Sequence, residues 1–271
     1  MGCRAVFGKG QALALQFKGF PMGNTREILV FGDSQGVANF AVNKWMEICT
    51  KSVRNKGFFT VALSGGRTPI DFYTMLSARG NQLPWEKTHI FLADERFVPS
   101  SDKESNYRLI REYLLSHIDI PEANIHPVQT EEITLKQAAE RYEDDIGNFF
   151  NIQGDRIPVF DLIMLGMGED GHTASLFPGT PSLKEKRRLT IPVIAVKPPH
   201  KRISLTLPVL NKAKHIIFLV SGEDKAPAVK EMLESKNSKL PAALVKPEHG
   251  SLLLVIDEAA ASLLTVSKVK R

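Results

Sequence analysis

The chain reads as a single-domain α/β protein, a mostly parallel open sheet with helices on both faces, Rossmann-like in layout. Three observations predict this. Short, dominantly apolar runs recur at residues 28–31, 58–63, 89–93, 159–165, 216–220 and 252–256, as strands buried on both faces do. Stretches with apolar residues at helical spacing lie between them, so strands alternate with helices. The 271 residues are 43% hydrophobic and 24% charged, enough for one sizeable core, and no linker, repeat or low-complexity segment divides them. Residues 1–25, with several glycines and Pro21 but no clear period, stand apart as an N-terminal segment of one or two strands plus loop. The domain proper is 26–271.

Each element follows in order. After the strand at 28–31, Asp33 or Ser34 caps a helix that turns Val37, Phe40, Ala41, Trp45 and Ile48 inward. The strand at 58–63 runs into Ser64-Gly65-Gly66-Arg67-Thr68-Pro69. Proline suits the first turn of a helix, which Ile70, Tyr73 and Leu76 continue. Such a turn offers backbone N–H groups and the positive end of a helix dipole, a setting for phosphate, and Arg67 adds a cation. It lacks the Gly-Lys-Ser/Thr ending of a Walker loop, and a plain tight turn is the alternative. The strand at 89–93 ends at Asp94-Glu95-Arg96, either a surface ion cluster or a polar group at the sheet's carboxyl edge. Amphipathic helices follow at 106–115 and 135–150.

The stretch 159–178, VFDLIMLGMGEDGHTASLFP, is the most informative. An apolar strand broken only by Asp161 leads into Gly166, Gly168 and Gly171, with Glu169, Asp170 and His172 among them. Loops at the carboxyl ends of strands line the ligand crevice of an open α/β sheet. The three glycines fit the spacing of a dinucleotide loop, but Pro178 arrives too soon for a helix and no strand-ending acid follows near residue 190. Residues 179–188 read as an exposed polar loop. Strands follow at 191–196 and 203–207, then at 216–220 and 252–256, with a helix through 233 between the last two. Asp257 caps a closing helix rich in alanine.

Composition excludes several classes. The formal charge is +5 and the pI about 9.1. The basic clusters at 184–188 and 268–271 lack interleaved aromatics and read as solvated surface rather than a nucleic-acid footprint. A mild positive balance suits an anionic small substrate. Cys3 and Cys49 have neither metal spacing nor a disulfide framework. No run approaches the ~18 apolar residues of a membrane helix. The N-terminus lacks a signal-peptide layout, and Val6 stands where a myristoylation signal wants Ser or Thr. The expected location is cytoplasmic, with no nucleic-acid or membrane partner; nothing in the motifs specifies an oligomeric state.

LSGGRTP, LADERFVP, SNYRL (105–109), GMGEDGHTASLFP and LPAALVKP occur in this order, and together they resemble the 6-phosphogluconolactonases, in a match that runs from residue 61 to residue 261. The resemblance implies hydrolysis of 6-phosphoglucono-1,5-lactone, the fold shared with glucosamine-6-phosphate isomerase, and no organic cofactor or metal. His172 matches the family's general base. Ser64, Gly65, Gly66, Arg202 and Lys225 match positions that hold the sugar phosphate. Thr68, Asp94 and Arg96 belong to the same motifs and are expected at the substrate. Arg67 replaces the small residue expected after the two glycines; it strengthens substrate binding or points to solvent.

The chemistry fits these residues. A lactone carbonyl needs an activated water, charge stabilisation for the oxyanion and a proton for the departing ring oxygen. A free imidazole, with a pKa of about 6.5, can take the proton and return it. Asp170 or Glu169 orients the ring, Asp170 being favoured, and the glycine-rich turn and Arg96 stabilise the oxyanion. Ser64 and Ser175 lie in no nucleophile elbow. The sister isomerase activity would want a carboxylate shortly after the histidine, and none stands between His172 and Pro178. A sugar-phosphate sensor on the same fold would tolerate loss of the histidine and often carries a DNA-binding module, which is not evident here.

Overall fold

The computed structural model describes residues 25–265 and, ahead of them, two short strands, β1 (Ala5–Val6) and β2 (Leu13–Leu15). The expectations for the rest of residues 1–25, for the N-terminal signals and for the basic tail at 268–271 lie outside the described residues. The remaining elements are, in chain order, β3 (Thr25–Phe31), α1 (Ser34–Lys56), β4 (Phe59–Leu63), α2 (Pro69–Ser77), β5 (Thr88–Leu92), β6 (Asp94–Arg96), α3 (Asn106–Tyr113), β7 (Ile125–His126), α4 (Leu135–Phe149), β8 (Leu162–Leu165), β9 (Thr190–Ile194), β10 (Lys201–Leu205), α5 (Leu207–Lys212), β11 (His215–Val220), α6 (Ala226–Glu234), α7 (Pro241–Leu244) and β12 (Ser251–Asp257).

Local chemistry sets the helix ends. The Asp33 carboxylate accepts from the Gly36 N–H at 2.8 Å and caps α1, settling which residue starts that helix. Gly57, at φ 88°, ends it in the left-handed conformation that glycine adopts without a Cβ clash. Thr134 and Gln137 form a reciprocal capping box on α4. The inner face of α1 seats Trp45 against Phe59, Phe72 and Trp85, a buried aromatic cluster between helix and sheet.

The large sheet has strand order β1-β2-β3-β12-β11-β8-β4-β5-β7. From β3 to β7 every neighbouring pair is parallel. β4 and β8 are buried at every position, which explains their unbroken apolar runs. From β4 the chain proceeds through β5 to β7. It then returns to place β8 on the other side of β4, and proceeds through β11 to β12. The order therefore reverses between β4 and β8, the switch point at which open α/β sheets bind ligands.

Two features differ from the expectation. Asp94-Glu95-Arg96 and the runs at 191–196 and 203–207 form a separate antiparallel sheet, β6-β10-β9, in which Arg202 faces Arg96 in register. The last of those runs stops at Leu205, because Thr206 is the N-cap of α5, which carries Pro208 in its first turn. Among the described residues no closing helix forms: residues 258–263 are turns, and Asp257 accepts from the N–H groups of Ala260 and Gly222 instead. So short a stretch does not offset the cost of nucleating a helix.

Candidate active site

Three strand ends meet at the switch point. β4 ends in the Ser64-Gly65-Gly66 turn, β8 in the Gly166–His172 loop, and β5 leads into β6. Together with β11 and the start of α1 they enclose a cleft of about 510 Å³. Ser64, Gly65, Gly66, Arg67, Thr68, Asp94, Arg96, His172, Arg202 and Lys225 all line it.

The loop after β8 is a tight turn rather than a helix start. Gly168 N–H bonds the His172 carbonyl at 2.9 Å, Gly171 N–H bonds the Gly168 carbonyl at 2.9 Å, and Thr173 Oγ1 donates to the Gly166 carbonyl. Gly171 has φ 74° and Ala174 φ 47°. A non-glycine residue in the left-handed region costs about 1–2 kcal/mol, and such strain collects at functional sites. The His172 side chain is 29% exposed, and its ring lies 4.6 Å from the Phe177 ring. Nδ1 meets Asp170 Oδ1 at 2.5 Å, and the same oxygen accepts the His172 backbone N–H. Burial works to raise the Asp170 pKa, but the adjacent imidazole and its hydrogen bonds outweigh it and hold the carboxyl below its ordinary value. An ionised carboxylate only accepts, so Nδ1 carries the proton and Nε2 is left basic.

Glu169, the other acid considered for orienting the ring, is placed elsewhere. Its carboxylate lies 3.9 Å from Lys225 Nζ and 4.0 Å from Lys197 Nζ. Its pairing is with the cationic rim, whereas Asp170 is the acid that meets the imidazole.

Cations gather on two sides of the cleft. Arg202, only 8% exposed, rests over the Phe177 ring and donates from Nε to the Pro199 carbonyl. Burial lowers its pKa, partly offset by Asp94, yet a guanidinium stays charged. Arg96 is tied by Nη1 to the Glu104 carbonyl at 2.6 Å. Lys225 meets Asp224 at 3.0 Å. Arg67 stands on the rim with its side chain 89% exposed, 3.8 Å from Asp224, so in this structure it takes the solvent-facing of its two expected positions. Ser64 donates to the Met164 carbonyl at 3.0 Å, a posture that anchors the turn and disfavours a nucleophilic role. Thr68 stands at the N-cap of α2 without a side-chain cap bond.

Sequence reasoning missed Ser34, Asp71, Asn106, Ser221, Asp224 and Asp257, which also line the cleft. Asn106 could have been found, because it lies in the SNYRL motif. Most of the acids already have partners: Ser175 donates to Asp94 at 2.6 Å and Ser34 to Asp71 at 2.9 Å. The cleft is thus equipped for a small anionic ligand, with one oriented imidazole beside it.

Comparison with known proteins gives the family. The family described as glucosamine-6-phosphate isomerases/6-phosphogluconolactonase matches residues 32–254. The 6-phosphogluconolactonase of Synechocystis sp. is 41% identical over 213 residues, covering 78% of this chain and 87% of its own. That of Homo sapiens is 49% identical over 175 residues, covering 64% and 67%. The solved structure of 6-phosphogluconolactonase from Trypanosoma cruzi superposes with a TM-score of 0.79 at 30% identity, covering 88% of this chain and 96% of that one. The chain belongs to the glucosamine-6-phosphate isomerase/6-phosphogluconolactonase family.

Proposed function

We propose that the chain hydrolyses 6-phospho-D-glucono-1,5-lactone to 6-phospho-D-gluconate, a step of the oxidative pentose phosphate pathway, with His172 as general base. Family membership and the relatives' shared activity support the reaction. The observation that carries the mechanism is the His172–Asp170 pair on the rim of a cationic cleft. Nε2 takes a proton from water as the water oxygen bonds to C1. The carbonyl electrons move onto oxygen, where Arg96 offsets the charge. When the carbonyl reforms, the bond from C1 to the ring oxygen breaks and the imidazolium returns its proton to that oxygen. Arg202, Lys225 and the Ser64–Thr68 turn at the start of α2 hold the phosphate, and Arg67 can swing in from the rim to join them.

The experiment generates the lactone in place with glucose-6-phosphate dehydrogenase and follows its disappearance above spontaneous opening. Wild type accelerates it, and His172→Asn loses about 10²–10⁴ in turnover, the usual worth of a general base. Full activity in the folded variant would remove His172 from that role. Ammonia release from glucosamine 6-phosphate in a parallel assay would move the protein to the sister activity.

A further inference from the structure

Asn106 is 1% exposed and lines the cleft, yet its Oδ1 has no hydrogen-bond partner. The rest of the residue is fixed. Its N–H donates to Glu95 Oε1 at 2.7 Å, and Nδ2 donates to the Asp94 carbonyl at 2.9 Å. A carbonyl only accepts, so the amide cannot be turned the other way, and Oδ1 is held as a fixed acceptor. A buried acceptor left unpaired costs about 1–3 kcal/mol, and such a group calls for an explanation.

Gly65 sharpens the point. A Cβ on Gly65 would lie 1.9 Å from Asn106 Oδ1 and 2.4 Å from Cγ. Gly66 is in the left-handed region at φ 104°, but Gly65 is not. Glycine at 65 is therefore a matter of space: the Asn106 amide occupies the volume a side chain would take, against the turn that forms one wall of the cleft.

The chemistry of that acceptor selects its partner. Phosphate oxygens, a lactone carbonyl and a developing oxyanion are all acceptors and are repelled by Oδ1. The ring hydroxyls are the donors a sugar lactone brings. In the same cleft Arg96 Nε is a buried donor, likewise unpartnered, and a hydroxyl can serve either kind of group.

Building on the lactonase reading, we propose that Asn106 is a specificity residue whose Oδ1 accepts a hydrogen bond from one ring hydroxyl of the substrate, its amide seated in the room that the absent Gly65 side chain leaves. The test compares kcat/KM of the wild type on 6-phosphogluconolactone with its 2-deoxy, 3-deoxy and 4-deoxy counterparts, each corrected for spontaneous opening. One deoxy lactone should fall by about 10- to 100-fold, as a site built around a hydroxyl rejects the analogue lacking it. Asn106→Ala should lose a similar factor on the parent lactone but nothing further on that same analogue. Gly65→Ala, which leaves the asparagine in place but crowds its amide, should reproduce this pattern. Equal rates of the wild type on all four lactones would overturn the proposal without touching the lactonase reading, and so would variant losses of the same size on every substrate. No acceleration of the parent lactone would instead overturn the reading on which the proposal rests.

Discussion

The general-base role proposed for His172 requires one ring orientation, and Gly168 supplies the room for it. A Cβ on Gly168 would stand 2.1 Å from both Cε1 and Nδ1 of His172 and 2.8 Å from Asp170 Oδ1. The ring cannot retreat easily, because Phe177 packs beside it and the Gly168–His172 backbone bond closes the turn. Gly168→Ala is therefore expected to break the Asp170 contact and to lower kcat by a factor of about 10²–10⁴, the range for losing the base itself. Gly166 is the internal control, since nothing lies within 4 Å of a Cβ there. Steady-state kinetics on both variants, with thermal melts to verify folding, check the contrast; equal activities would sink it. The glycines at 166, 168 and 171 look alike in sequence. One faces open space, one borders the imidazole, and one needs a positive φ.

Asp161 interrupts an otherwise apolar strand run, and the packing of elements explains it. Its buried carboxylate accepts from Thr60 N–H at 2.9 Å and Thr60 Oγ1 at 3.0 Å, and pairs with Lys56 at 2.8 Å and Lys214 at 3.0 Å. It thereby joins the end of α1, the start of β4, the lead-in to β8 and the lead-in to β11. Burial works to raise its pKa, but Lys56, Thr60 and Lys214 outweigh that and depress it. A depressed carboxyl contributes stability that is present above the unfolded value and is lost as pH falls through the folded one. Asp161→Asn should cost about 1–3 kcal/mol near neutral pH. The low end is expected, because the Lys56 and Lys214 side chains remain 27% and 51% exposed and water screens them. Urea unfolding at about pH 7 and about pH 3 should show a smaller acid loss in the variant than in the wild type; identical losses would refute the linkage. Other motif residues also act between elements. Glu95 accepts from Ser105, Asn106 and Tyr107, locking β6 to the start of α3. Leu240 packs beneath Gly171, and Ala242 N–H bonds its carbonyl. LADERFVP, SNYRL and LPAALVKP are thus in part the frame behind the loop that holds His172.

At the scale of the molecule, the cleft joins two sheets. His172 and the Ser64–Thr68 turn come from the parallel sheet, whereas Arg202 and Arg96 come from neighbouring strands of the antiparallel one. Arg202→Ala should mainly raise KM, as loss of a phosphate contact made equally in ground and transition states does. An unchanged KM would place the phosphate elsewhere. Among the described residues no helix is long and apolar enough to cross a membrane. The α/β class, the strands at 58–63, 216–220 and 252–256 and the loop holding His172 were legible in sequence. Period and length alone distinguish a buried strand from an amphipathic helix, and glycines next to titratable residues mark a working turn. The second sheet was not legible, because Asp94-Glu95-Arg96 is too short and too charged to read as a strand. Nor could sequence show which carboxylate holds the imidazole. Glu169 and Asp170 are adjacent, and only the turn's backbone decides that one meets Nδ1 while the other faces Lys225. By itself, then, the sequence determined the fold class, the family and the imidazole, because local periodicity and motif chemistry are written in neighbouring residues. The tertiary structure alone decided the partner of His172, the union of two sheets around one cleft and the place of Asn106 against Gly65, because each depends on contacts between residues distant in the chain or on which way a tight turn points its side chains.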